Sequence, residues 1–498
     1  MGTVRFRLWG FAGVAALALA VKLRYAAGPF RLYSDSIAYV NIARHWASGD
    51  GFVSSLRLNY FDPGPVTHLA LVDWPPLYPL VVGVLTRLGV SASGLQAANA
   101  VIAAFCAGLV FLIAEELFDR KTALLSGLVA ALALNVFKSA MLVMSDALGL
   151  ALALCAVLAA VRAKGRPFAW FAAGALAGAA YLTRFPNMVL MVAFVGYAIL
   201  RPGERRNSLA CIAGFALTAG PILAWKWALY GSPVAGVQSI HYATTSFKES
   251  SWTWFEPGKQ PSISHTRLPE IIALIWRNTR YQAESLFRTT IGLYWLSAAI
   301  PFALVAHRRS ILAAERGLVL LVALLQFAVY ASTWSLPAAQ AMRFMLVPYC
   351  LLLPFACAGV VWLIERRSMI VKGAAVALSA VTICAYCLDY PRTARRAAQY
   401  EPLERSVVQW AKRALPDGTI VASNNPWLVA HQTGLPATAM PHNLDESNIG
   451  RYVRRYHIGA FLVIKSDLES PTTRTLLESP QRFKILDLGP VWVATPKR

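Results

Sequence analysis

Four charged residues stand at the ends of apolar runs in this sequence, where ionised groups are costly and usually mark a functional cavity. They are Asp35 in YSDSIAYVNIARHWASGDGF, Asp146 in SAMLVMSDALGLALAL, Arg184 in YLTRFPN and Arg343 in AQAMRFMLVPY. A carboxylate can take the proton of an attacking hydroxyl, and a guanidinium offers a bidentate fork to phosphate oxygens. We therefore predict that the two acids are catalytic and that the two arginines bind a phosphate.

Structural roles are alternatives for each of these residues. Asp35 can cap the amphipathic helix that follows it, although Ser34 or Ser36 can do so without a charge. Asp146 and the adjacent Ser145 can likewise cap a helix. The two arginines can be anchors that reach from helix ends to the bilayer surface.

A second group of polar residues follows Asp35 in NYFDPGPVTHLALVDWPPLYPLVVGVLTRLG. It contains Asp62, His68, Asp73 and Trp74, and the Pro-Pro pair opens an apolar helix of about 13 residues, too short to span a bilayer. We expect these residues in the substrate pocket, joined by two from a later loop, which are His241 and Tyr242 in QSIHYATTS. A helix that only packs in the interface is the alternative.

Composition places these residues in a membrane protein. Hydrophobic residues make up 57% of the 498 residues and charged residues only 14%, with a mean hydropathy of +0.50, whereas soluble domains carry about 25% charged residues. Hydropathy predicts about eleven transmembrane helices. They are Leu8 to Leu23, Leu95 to Leu117, Ala123 to Phe137, Ala147 to Val161, Phe168 to Leu182, Met188 to Leu200, Leu209 to Leu229, Thr290 to Ala306, Gly317 to Ser332, Phe344 to Ile364 and Ile370 to Tyr386.

The positive charge of the chain predicts its orientation. The net charge is +22, and its Arg and Lys are concentrated in alternate short connections, which the positive-inside rule places in the cytoplasm together with the N-terminus. Because no basic face is interleaved with aromatic residues, we expect no nucleic-acid partner. Outer loops at about 24–94 and 230–289 and the C-terminus then face outward, as do all four charged residues.

The chain divides by composition into two predicted domains. Residues 1–390 form a polytopic all-α membrane domain. Residues 391–498 contain short β-branched runs, such as IGAFLVIKSDL, that alternate with helical patterns, such as LERSVVQWAKRAL. This alternation predicts a small extracytoplasmic α/β domain.

The order of SDSIAYVNIARHWASGDGF, DWPPLYPLVVGVLTRLGV, MSDALGLAL, YLTRFPNMVL and AMRFMLVPYCLLLPFA resembles the GT-C superfamily of integral-membrane glycosyltransferases. The resemblance covers about residues 1–390 and is greatest to the branch of protein O-mannosyltransferases, aminoarabinose transferases and lipopolysaccharide galacturonosyl transferases. It implies an inverting transferase that uses a polyprenyl-phosphate sugar at the outer face, with Asp35 at the position of the catalytic carboxylate and Asp146 at that of a second acid. Where relatives often have Lys or His before the Pro-Pro pair, this chain has Trp74.

The resemblance leaves the acceptor open between a lipid, a glycan and a protein of the cell envelope. We predict no cofactor and no metal, although a carboxylate pair can hold a divalent ion. The compact loops and the absence of a retention tail favour a bacterial inner membrane. A lipid or sugar transporter or flippase is the alternative function, but such proteins commonly show internal repeats, which this sequence lacks. A non-catalytic scaffold is a third function and leaves the charged residues unexplained.

Overall fold

The computed structural model of the chain describes residues 2–26, 33–58, 64–71, 73–134, 136–201, 203–233, 268–288, 293–308, 315–333, 342–366, parts of 368–384, 405–465 and 470–497. Three of the residues expected in the substrate pocket fall outside these ranges. Asp62 belongs to the first loop, and His241 and Tyr242 belong to the second.

Helices form most of the described chain up to residue 364. They are α1 (Gly2–Ala26), α2 (Ser34–Ser48), α3 (Leu77–Arg87), α4 (Ala92–Leu117), α5 (Arg120–Leu132), α6 (Asp146–Val161), α7 (Pro167–Thr183), α8 (Met188–Leu200), α9 (Asn207–Tyr230), α10 (Leu268–Ala283), α11 (Ile300–Ala306), α12 (Glu315–Thr333) and α13 (Leu346–Ile364). Five helices among the described residues are long and apolar enough to cross a bilayer, namely parts or all of α1, α4, α9, α12 and α13. The chain is therefore an integral membrane protein.

Most of the predicted spans coincide with helices. The last of them, Ile370 to Tyr386, is only partly described, and several matching helices are shorter than 18 residues. The number of eleven spans thus stays a prediction. The short helix expected after Trp74 is observed as α3, whose 11 residues cannot span the hydrocarbon core.

Helices α7 and α9 approach each other until their backbones touch. A Cβ atom on Gly174 would lie 2.0 Å from the carbonyl oxygen of Cys211, and one on Gly214 would lie 2.0 Å from that of Phe171. Gly178, one turn after Gly174, faces α9 in the same way. Because lipid competes equally for apolar side chains, such small residues let two membrane helices associate through close backbone packing.

A buried lysine of α1 holds in place the segment that connects α5 to α6. Lys22 of α1 has no exposed surface, and its ammonium donates to the carbonyls of Ala130 and Ala131 at 3.3 and 3.1 Å. These carbonyls lie in the last turn of α5, where a helix leaves its oxygens unpaired and favours a cation. The ammonium also lies 4.4 Å from the ring centroid of Phe137, so it anchors the segment that leads to Asp146.

A six-stranded mixed sheet forms beside α2. The first loop contributes its edge strand β2 (Leu56–Arg57), while β1 (Val53–Ser54) and β3 (His68–Leu69) of the same loop pair antiparallel in a separate two-stranded sheet. The C-terminal residues contribute α14 (Arg405–Ala414), β4 (Ile420–Ser423), α15 (Pro426–Thr433), β5 (Ala437–Ala439), α16 (Ile449–Tyr456), β6 (Ile458–Ile464), α17 (Pro471–Glu478), β7 (Phe483–Asp487) and β8 (Val491–Pro496). The strand order is β2-β5-β4-β6-β8-β7, so the edge strand β2 comes from outside the predicted range 391–498.

Helix α2 is fastened to this sheet by apolar contacts and by hydrogen bonds. Ile37 and Ala38 are buried in one cluster with residues of α14, α15 and β4. The side chain of Asn41 donates to Ser55 Oγ at 2.7 Å and accepts from Ser55 N–H at 3.0 Å. Ser55 directly precedes β2, which pairs in parallel with β5. The C-terminal region therefore touches the helix that carries Asp35.

We predict that Gly174→Val lowers the free energy of unfolding by about 1–3 kcal/mol, because the added side chain forces α7 and α9 apart. The measurement is thermal unfolding of the full chain in detergent. Gly196→Val is the matched control, since a Cβ atom at Gly196 of α8 meets nothing within 4 Å. Equal melting temperatures for the two variants would contradict the close packing of α7 on α9.

Candidate active site

Asp35 lies in the first turn of α2. The residue that caps this helix is Tyr33, and it makes no side-chain capping bond. The carboxylate of Asp35 instead lies 2.8 Å from Nη2 of Arg343, and Ser34 Oγ approaches it at 3.4 Å. Among the described residues the observed partner of the acid is thus an arginine more than 300 positions away, and no capping bond from Asp35 to α2 is seen.

Asp146 begins α6 and has no side-chain exposure. One of its oxygens accepts from Nη1 of Arg184, and the other lies 3.4 Å from Nη2 of Arg343. Arg184 follows the end of α7, and Arg343 lies in the 3-10 turn Met342–Phe344 that precedes α13. A single buried carboxylate thus holds two guanidinium groups from two other helix ends.

The structure brings together the four residues that the sequence singled out. We call Asp35, Asp146, Arg184 and Arg343 the charge cluster. Its formal charges cancel, as burial of ionised groups requires. The two acids differ in access, since the Asp35 side chain is 26% exposed and that of Asp146 is fully buried. Of the two acids, Asp35 is therefore the one that an approaching molecule can reach.

Aromatic rings hold the two arginines in place. The Phe344 ring centroid lies 5.6 Å from Cζ of Arg184 and 5.3 Å from Cζ of Arg343, within cation–π range. Tyr330 of α12 stacks on Phe344 and accepts from Arg184 Nη2 at 3.4 Å. Gly149 of α6 leaves room for the Arg184 chain, because a Cβ atom there would lie 3.0 Å from Cδ of the arginine.

Tyr39 joins α2 to the start of α6. Its hydroxyl lies 2.9 Å from Ser145 Oγ, and its ring meets Trp74 and Tyr78 edge to face at centroid distances of 4.9 and 5.0 Å. Burial, reinforced by the nearby Asp35 carboxylate, raises the pKa of Tyr39 above its ordinary value. The hydroxyl therefore stays protonated at neutral pH. Ser145 bonds to Tyr39 and makes no side-chain capping bond to α6.

The residues expected around the Pro-Pro pair have their own contacts. His68 Nε2 lies 2.6 Å from the carboxylate of Asp73, and Nδ1 lies 2.8 Å from the carbonyl oxygen of Val66. Both ring nitrogens are occupied, and neither bonds to the charge cluster. Trp74 contacts the cluster only indirectly, by packing on Tyr39. The pocket roles of these residues stay predictions.

A narrow cavity, partly open to solvent, lies beside Asp146, Arg184 and Arg343. Its lining includes two residues that the sequence analysis missed, Asn187 and Gln326. Gln326 is a polar residue inside the apolar run GLVLLVALLQFAVYAS, and that departure from the pattern was a signal of function. Asn187 lies so close to Arg184 in the sequence that nothing about it indicated a functional role of its own.

Comparisons with known proteins agree on the fold. The family model of dolichyl-phosphate-mannose-protein mannosyltransferases matches residues 73–226. An oligosaccharyltransferase of Archaeoglobus fulgidus, AglB, solved with an inhibitory peptide and a dolichol-phosphate, superposes with a TM-score of 0.65 at 9% identity over 99% of this chain and 75% of its own.

Two further solved structures are similar. ArnT of Cupriavidus metallidurans bound to undecaprenyl phosphate gives a TM-score of 0.58 at 13% identity, with 97% of each chain covered. The mycobacterial arabinofuranosyltransferase AftD gives 0.57 at 14% identity over 98% of this chain and 41% of its own. No curated protein sequence matches the chain. At these identities the similarities establish the fold.

We predict that Asp146→Asn lowers the free energy of unfolding by about 3 kcal/mol, because a neutral amide leaves the two poorly exposed guanidinium groups of the charge cluster with only the Asp35 carboxylate to compensate them. Asp35→Asn removes one negative charge from the same cluster, but its side chain is partly exposed, and we expect a loss below about 1 kcal/mol. Chemical denaturation of both variants in detergent measures the difference. Equal losses would mean that Asp146 does not hold the cluster together.

Proposed function

We propose that this chain, an integral membrane protein with the fold of the GT-C superfamily, transfers a sugar with inversion from a polyprenyl-phosphate donor to an acceptor hydroxyl. The resemblance seen in the sequence is confirmed at the level of fold. The observation that carries the proposal is the pairing of Asp35 with Arg343, which puts a solvent-accessible carboxylate at 2.8 Å from a cation suited to phosphate.

The charge cluster supports a phosphate-binding role for the two arginines. Asp146 is buried and bonded to both of them, so it fixes their positions and partly neutralises them before substrate arrives. Asp35 is bonded in the described part of the chain to Arg343 and, weakly, to Ser34. An incoming phosphodiester replaces Asp35 as the partner of Arg343, because both are oxyanions. Asp35 is then released to act on the acceptor.

The chemistry needs one base and one anion-stabilising group. The acceptor oxygen attacks C1 of the sugar, the bond between C1 and the phosphate oxygen breaks, and the hydroxyl proton moves to the Asp35 carboxylate. The departing polyprenyl phosphate gains negative charge, which Arg184 and Arg343 stabilise. A single displacement inverts C1. Asp146, which has no exposed side-chain surface, acts in this scheme as a positioning residue.

The similar proteins support this choice of donor. The matched family model is named for dolichyl-phosphate mannose, and the AglB and ArnT structures contain a dolichol-phosphate and undecaprenyl phosphate. In this proposal the reaction takes place at the outer face of the membrane, as the positive-inside rule predicts, and the membrane is a bacterial inner membrane. The acceptor is an envelope lipid, glycan or protein, and the contact of the C-terminal region with α2 supports a role for that region in presenting it.

We predict that Asp35→Asn lowers transfer by about 100- to 10,000-fold, the usual contribution of a general base. The measurement is release of undecaprenyl phosphate from undecaprenyl-phosphate sugars by the purified full chain with an envelope extract as the source of acceptor. Asp50→Asn is the matched control, since Asp50 lies just beyond the other end of α2 and pairs only with surface groups. That variant retains wild-type release.

Two outcomes would contradict the proposal. Release that is undiminished in Asp35→Asn would remove this residue as the base. Absence of release by folded wild-type protein, combined with movement of the intact lipid-linked sugar across proteoliposomes, would identify a flippase instead. Folding of each variant is checked by its melting temperature.

A further inference from the structure

Two residues that line the cavity beside the charge cluster each have a buried polar atom without a partner among the described residues. One is the acceptor Oε1 of Gln326, and the other is the donor Nε of Arg343. Gln326 is 1% exposed and lines the cavity. A buried polar atom that makes no hydrogen bond costs about 1–3 kcal/mol. Because both residues line the same cavity, a ligand that enters it can supply the missing hydrogen bonds.

The orientation of the Gln326 amide follows from its neighbours. Asn187 Nδ2 donates to the carbonyl oxygen of Ala180 at 3.1 Å, so Asn187 Oδ1 is left as an acceptor. Gln326 Nε2 donates to this oxygen at 3.2 Å. One N–H of the Gln326 amide is thereby used, which fixes the orientation of the amide, and its oxygen stays available to a ligand that carries an O–H or N–H group.

The hydrogen-bonding groups of the donor substrate determine which part of it can bond to Gln326 Oε1. A polyprenyl chain has no hydrogen-bond donor, and an ionised phosphodiester has only acceptors. The acceptor hydroxyl is directed at Asp35. The hydroxyls of the transferred sugar are therefore the groups left to donate to Gln326 Oε1, while the unpaired Nε of Arg343 donates to the phosphate next to the sugar.

We propose that Gln326 is a specificity-determining residue that accepts a hydrogen bond from a hydroxyl of the donor sugar. This inference rests on the proposed function, because it takes the ligand to be a lipid-linked sugar. It assigns α12 to the recognition of the sugar, whereas the ends of α6, α7 and the turn before α13 bind the phosphate. Asn187 acts through Gln326 by holding its amide in the required orientation.

The test is a binding measurement without acceptor. The full chain in lipid nanodiscs is titrated with undecaprenyl phosphate, bare and carrying mannose, glucose or arabinose. Gln326→Met keeps the length of the side chain and removes its acceptor. We expect the preference of the wild type for its best sugar-bearing lipid over the bare lipid to fall about tenfold in the variant, which is the effect of one buried hydrogen bond. Affinity for bare undecaprenyl phosphate is unchanged.

Leu324→Met is the control, because Leu324 lies on the same helix and is 64% exposed. The inference is overturned if Gln326→Met keeps the sugar preference, if it weakens the bare lipid by the same factor, or if the wild type shows no preference. Release of undecaprenyl phosphate, measured separately on the same preparation with acceptor present, tests the proposed function. A wild type that prefers a sugar-bearing lipid but releases nothing would therefore retain this inference and refute the transferase.

Discussion

The burial of Asp146 between two guanidinium groups is the constraint on which the arrangement of this end of the molecule depends. An ionised carboxylate without solvent exposure is tolerated only if opposite charges and hydrogen bonds surround it. Arg184 and Arg343 supply both, and each belongs to a different helix end. The start of α6, the end of α7 and the turn before α13 must therefore converge on one point. Any packing of the bundle that separates them leaves charge exposed to hydrocarbon.

The rest of the bundle holds these helix ends in register. The glycines of α7 let it lie against α9, and Lys22 fixes the last turn of α5 just before the segment that leads to Asp146. Tyr39 then connects α2 to the residue before Asp146. Asp35 is consequently positioned by contacts on both sides of its helix, although among the described residues its own carboxylate has only one strong partner, Arg343. This combination of a fixed backbone and a loosely held side chain suits a group that must exchange one partner for another.

Residue types made the four members of the charge cluster predictable, because charges beside apolar runs are rare and costly. Their pairing was not predictable. Nothing in the local sequence of Asp146 indicates that it bonds to both arginines while Asp35 bonds to one, since that follows from how helix ends distant in the chain meet.

Gln326 was overlooked because a single amide in an apolar helix gives no periodic signal. Strand β2 was overlooked because two residues that pair with a strand 381 positions later form no recognisable pattern.

Strand β2, which the first loop contributes to the C-terminal sheet, also determines whether the C-terminal region can fold as a separate fragment. In the full chain, β2 covers the edge of β5, and Ile37 and Ala38 of α2 cover apolar residues of α14 and α15. A fragment that begins after the last membrane helix would expose both the unpaired edge of β5 and this apolar surface. Open strand edges pair readily with other chains, so the fragment would tend to aggregate. During synthesis, the C-terminal region can complete its sheet only if the first loop, which carries β2, has already reached the same side of the membrane. Correct insertion of the N-terminal helices is therefore a precondition for folding of the C-terminal region.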